Sequence, residues 1–130
     1  MIASFLLNRN PLLNSYRPHF EGATPVISFQ TAAEMRYGAI KARWGEQKTE
    51  ALEQFLQGIE IVHSSDALTQ LWTETMLKAR QTGKRLEAAD AWIAATALLL
   101  KTPLLTHDKD FSAESCPSIV VINYAATSTV

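Results

Sequence analysis

Residues 87–110, "EAADAWIAATALLLKTPLLTHDKD", limit the fold more than any other stretch of the chain. From Ala88 to Leu100 the run carries a single charge, Asp90, and is otherwise almost wholly apolar. A helix that is apolar on nearly every side has to be covered on more than one face. "TPLLTHD" follows at once, and its short apolar run reads as a buried strand over 102–108. A helix feeding directly into a strand, both in need of cover, calls for helices layered on a sheet.

The rest of the chain repeats this alternation. "IASFLLNRNPLLNSY" reads as helix, restarting at Pro11 with Asn10 as a cap. "TPVISF" (24–29) is a short β-rich run, and 31–44 is helical with Ala32, Met35 and Ala39 at helical spacing. After Gly45, residues Ala51, Leu52, Phe55 and Leu56 mark a second amphipathic helix that ends at Gly58. "IEIVH" (59–63) is a strand, and a long helix follows, opened by serines that can cap and closed by Gly83. "SIVVIN" (118–123) is the last strand, and 124–130 reads as a loose tail. Strands separated by helices of this length pair in parallel through right-handed crossovers. The expectation is an α/β fold: one domain over 1–130, with a parallel sheet flanked by helices.

Bulk properties remove several classes of function. At 130 residues, 47% hydrophobic and 19% charged, the chain can build one core and is not of disordered composition. A net charge of -1 excludes a molecule that is basic all over, so any surface that attracts nucleic acid must be local. One cysteine, Cys116, supplies neither an intrachain disulfide nor a zinc cluster, which suits a reducing, cytoplasmic setting. No apolar run approaches the roughly 20 residues of a membrane span. The first residues lack the basic segment of a signal peptide.

In open parallel sheets, ligands bind beyond the carboxyl ends of the strands. "TPLLTHDKDF" delivers Thr106, His107, Asp108 and Asp110 there, and "TPVISFQTAAE" delivers Glu34 on the first turns of the following helix. Asp90 opens the helix leading into the strand that carries Asp108. Three carboxylates from three elements would repel one another without a cation. Hard oxygen ligands select Mg²⁺ or Mn²⁺, and such ions suit in-line attack of water on a phosphodiester.

Each acid also has a plain structural reading. Asp90 in a first turn gains about 0.3–1 kcal/mol from the helix dipole. Glu34 can be an exposed helix acid, and Asp108 can make an Asx-turn. Asp110 reads as a turn residue beside Phe111, which packs back on the core. Glu87 is a solvated or capping acid. His19, His63 and His107 are scattered, Ser64 and Ser65 read as caps, and Trp44, Trp72 and Trp92 as packing or interface residues.

Together, "ISFQTAAEMRYGA", "EAADAWIAATALLLKTPLLTHDKDF" and "SIVVIN" resemble a PIN domain of the VapC toxin type, in order and over nearly the whole chain. The resemblance implies a metal-dependent ribonuclease paired with a small antitoxin and commonly homodimeric. It implies that Glu34, Asp90 and Asp108 are acids of the metal site and Thr106 a polar residue close behind them. Lys84, Arg85 and Lys109 are candidates for RNA phosphates, with Arg9, Arg17 and Arg36 weaker ones. The family usually opens with a central strand ending in Asp. That strand and its acid would fall before Met1, leaving a domain without its first strand. A rival expectation is therefore a catalytically weak module that acts by binding an antitoxin or a second copy of itself.

Overall fold

The computed structural model describes residues 7, 10–108, 111 and 118–125. They divide into two compact units, one drawn from residues 3–63 and the other from 64–130.

In the first unit, a 3₁₀ turn spans Pro11–Ser15. The Asn10 side chain caps it by accepting from the Leu12 N–H at 2.9 Å. The restart expected at Pro11 is thus present, but as 3₁₀ rather than α-helix. A one-turn helix α1 (Arg17–Phe20) leads to strand β1 (Val26–Ser28). Helix α2 (Phe29–Lys41) begins directly behind β1, because the Ser28 hydroxyl accepts from the Thr31 N–H at 3.2 Å and starts the first turn. Helix α3 (Glu46–Gly58) follows and feeds β2 (Glu60–Val62). β1 and β2 pair in parallel, Ile27 opposite Ile61. Ala32, Met35 and Ala39 of α2 share a buried cluster with Leu52 and Leu56 of α3, and Ile27 and Ile61 of the strands pack against it. Of the apolar positions read from the sequence, Phe55 also packs against this cluster, whereas Ala51 is exposed, at the edge of the face that Leu52 and Leu56 define.

The second unit opens with α4 (Asp66–Gln81), capped by Ser65 accepting from the Leu68 N–H at 3.1 Å. Gly83, at φ +72°, turns the chain after it, a left-handed conformation that glycine adopts without strain. Helix α5 (Ala88–Leu100) then packs along α4. Ala91, Ala94, Ala95 and Ala97 are all buried. Alanine brings little side chain between a helix and its neighbours, so the covering elements approach closely. The end of α5 is tied by the Thr102 N–H donating to the Ala97 carbonyl at 3.1 Å, around Lys101 at φ +52°.

Strands β3 (Leu104–Leu105) and β4 (Val121–Ile122) pair in parallel. Both are shorter than the apolar runs 102–108 and 118–123 suggest, since only the central residues find ladder partners. Among the described residues all strand pairing is parallel, as expected, and is realised as two two-stranded ladders, one in each unit. Lys109, Asp110, Cys116, most of the opening helical stretch and 126–130 of the expected tail lie outside the described residues. Ala125, assigned above to that tail, is buried. No described helix is long and apolar enough to cross a membrane.

Candidate acidic site

Asp90 is the third residue of α5, half-buried, in the turn where the helix dipole favours a carboxylate. The head of this helix is fixed from α4. The Trp72 indole N–H donates to the Ala88 carbonyl at 3.1 Å, and the Trp72 and Trp92 rings stack with centroids 5.3 Å apart. Trp72 and Trp92 thus pack, as their type suggests, at the turn that carries the acid, and Trp44 packs against the cluster of the first unit. Glu87 is the N-cap residue by position but makes no side-chain cap bond. Its carboxylate instead accepts from Arg85 Nε at 3.0 Å, in an exposed ion pair.

Asp108 lies three residues beyond β3 and is exposed. Its backbone is held on both sides. The N–H donates to Thr106 Oγ1 at 3.2 Å, and the carbonyl accepts from the Phe111 N–H at 3.1 Å and from Asn123 Nδ2 at 2.7 Å. Thr106 therefore acts on Asp108 directly, by shaping the turn it stands on. Phe111 is 2% exposed, so it does pack back into the core. It forms a buried cluster with Ala94, against which Leu86, Leu104, Ile119 and Val121 pack.

This cluster connects the two acids. Ala94 lies one helical turn after Asp90 on the same face of α5, and Phe111 ends the turn that begins at Asp108. Both acids thus belong to the second unit, each beside a residue of this cluster.

Glu34 belongs to the first unit, on the second turn of α2 beyond the carboxyl end of β1. It is half-buried, and its Oε1 accepts from Gln30 Nε2 at 3.3 Å. Among the described residues no three His, Cys, Asp or Glu side chains converge closely enough to hold a metal ion. Of the basic candidates, Lys84 is exposed, Arg85 is engaged with Glu87, and Arg36 is engaged with Glu53. Arg36 Nη2 stands 2.8 Å from Glu53 Oε1. That contact raises the arginine pKa and lowers the Glu53 carboxyl, chiefly through the hydrogen bond. The pair lines a groove of about 400 Å³ between α2 and α3, together with Ala39, Ile40 and Leu52.

Asn123 was missed by sequence reasoning, which absorbed it into the last strand. The available signal was a polar residue with local hydrogen-bonding capacity closing an otherwise apolar run.

The PIN domain family model matches residues 2–113. The chain belongs to the PIN domain family, and it is of the VapC type. A protein named Ribonuclease VapC4 from Mycobacterium tuberculosis is 31% identical over 105 residues, covering 79% of each chain. Ribonuclease VapC2 from Rickettsia felis is 28% identical over 128 residues, 95% of this PIN domain and 92% of its relative. The crystal structure of VapBC2 from Rickettsia felis, bound to a DNA fragment from its promoter, superposes with a TM-score of 0.76 at 26% identity. The match covers 94% of this PIN domain and 92% of that chain.

The donor chemistry of this PIN domain fits a hard divalent cation. The three candidates are carboxylates, two half-buried and one exposed, and oxygen donors of this kind suit Mg²⁺ or Mn²⁺ rather than a thiolate-loving ion.

Proposed function

We propose that this PIN domain is an endoribonuclease of a toxin–antitoxin pair, dependent on Mg²⁺ or Mn²⁺, which hydrolyses RNA phosphodiesters. Asp90 and Asp108 would supply oxygen donors for the ion, and Glu34 is the third acid that the family resemblance implies. When bound, the ion supplies positive charge to the phosphate oxygens and activates water at neutral pH. Asp90 stands on a rigid helix head rather than a loop, which keeps its oxygen atoms in a fixed direction. Thr106 fixes the turn below Asp108. Lys84, Arg85 and Lys109 attract the RNA backbone without reading its bases. The partners are RNA, an antitoxin and a second copy of the chain, and the expected compartment is the cytoplasm.

The single observation that supports this reading is the Ala94–Phe111 packing, which joins the helix that carries Asp90 to the turn that begins at Asp108. The names of the relatives support the substrate class, and the VapBC complex among the structural neighbours supports an antitoxin partner. The test is cleavage of a mixed RNA substrate by the purified chain with Mn²⁺, beside Asp90→Asn prepared identically. Loss of metal-stimulated cleavage in a variant with unchanged circular dichroism is expected. Cleavage at the original rate by Asp90→Asn would refute the assignment.

A further inference from the structure

The Asp108 turn is held by a residue fifteen positions later in the chain. Asn123 follows β4, and its side-chain amide donates twice, to the Asp108 carbonyl at 2.7 Å and to the Phe111 carbonyl at 2.9 Å. Its Oδ1 accepts from the Ala125 N–H at 2.9 Å. Every polar atom of the Asn123 side chain is thereby used, and both donor bonds close on the two ends of one turn. Asp108 lies beyond the end of β3, which stops at Leu105. Its anchors are Thr106 on one side, the buried Phe111 ring beneath, and Asn123 across from it.

We propose that Asn123 is a positioning residue for the acidic site, setting where the Asp108 carboxylate stands for a divalent ion. This rests on the reading of Asp108 as a metal-binding acid. A carbonyl that accepts two donors has little freedom to rotate, and rotation of that peptide would swing the Asp108 side chain. Asn123 contacts neither substrate nor ion by this account. It acts through the loop, as outer-shell hydrogen bonds act on metal-binding carboxylates in general. Asparagine is suited to the place because it alone offers a two-donor amide on a stem short enough to keep its own Oδ1 on the Ala125 N–H. Aspartate in its place would present oxygen to two carbonyls and repel both.

Titration of the whole chain with Mn²⁺ by calorimetry tests this, comparing wild type, Asn123→Leu, Asp108→Asn and Ser65→Ala. Asn123→Leu keeps the volume and removes the amide, whereas Ser65→Ala weakens the same unit at the α4 cap, away from the turn. Mn²⁺ affinity is expected to fall about 10- to 100-fold in Asn123→Leu and to stay unchanged in Ser65→Ala. If Asn123→Leu binds Mn²⁺ as Ser65→Ala does, while Asp108→Asn has lost binding, the positioning role is overturned and the site stands. If Asp108→Asn binds Mn²⁺ normally, the site assignment itself fails, and the role of Asn123 falls with it. A measurement on the wild type covers the case in which Asn123→Leu does not fold. The Asn123 side-chain amide protons should exchange slowly with solvent by nuclear magnetic resonance, and exchange at the rate of a free amide would overturn the proposal.

Discussion

Replacing Phe111 by alanine tests whether the Asp108 turn is anchored in the core as described. The ring is 2% exposed and clusters with Ala94, and among the described residues Leu86, Leu104, Ile119 and Val121 pack against that cluster, so its removal leaves a hole in the core. A buried aromatic covers about 150–250 Å², worth about 4–6 kcal/mol at about 25 cal/mol per Å². Alanine retains Cβ and the walls relax in part, which brings the expected cost to about 3–5 kcal/mol. Against a total of about 5–15 kcal/mol for a domain of this size, that is a large fraction. Urea unfolding reports it as a fall in midpoint of about 1.5–2.5 M at a slope near 2 kcal/mol per M. The near-ultraviolet signal of the stacked Trp72–Trp92 pair follows the unit concerned, since both rings belong to it. Phe111→Leu keeps most of the volume and should shift the midpoint far less. A shift below about 0.5 M for Phe111→Ala, or an equal shift for the two variants, would refute the packing argument.

Four further outcomes are expected. Ser65→Ala removes the side-chain cap of α4 and should lower stability by about 1 kcal/mol, read from the same urea midpoint. Lys101→Gly relieves a left-handed backbone at the end of α5 and should raise stability by about 1 kcal/mol, so a fall in melting temperature would contradict the αL geometry. Glu53 has a lowered pKa through its bond to Arg36, so its contribution to stability is present above the ordinary carboxylate pKa. It is lost as pH falls through and below about 4.3; because both groups are exposed the loss is small, and Glu53→Gln should flatten that part of the stability–pH profile in low salt. Removal of divalent ions with a chelator should abolish RNA cleavage, and Mn²⁺ should restore it in the wild type but not in Asp90→Asn.

Much of the architecture could be read from local chemistry. Ser65 and Gly83 bracket a helix because a hydroxyl that caps and a residue free at positive φ are local devices, visible without the partner elements. The apolar positions of α2 and α3 could be read because helical spacing alone selects a face. Strand lengths could not, since a residue counts as strand only when its neighbour supplies hydrogen bonds, and Thr106 spends its side chain on a turn instead. The two acids on α5 and beyond β3 were recognisable from sequence as carboxylates near element ends. What holds them was not. The Trp72–Ala88 bond links α4 to α5 across sixteen residues, and Asn123 reaches back fifteen to Asp108. Neither link leaves a periodicity in the sequence, because each arises only when distant elements are already packed.

The alanine face of α5 bears on how this chain can vary. Ala91, Ala94 and Ala95 show no exposed surface at all, so these sites discriminate by volume before they discriminate by polarity. Glycine or serine can be accommodated at modest cost, while valine or leucine forces the neighbouring elements apart. In a library covering every position, α5 should therefore show a steep size threshold. On α3, where Leu52 and Leu56 face the core and the rest is mostly exposed, the pattern should follow polarity instead. The helix that bears Asp90 is thus less free to drift than α3, and divergence among descendants of this sequence is channelled away from it.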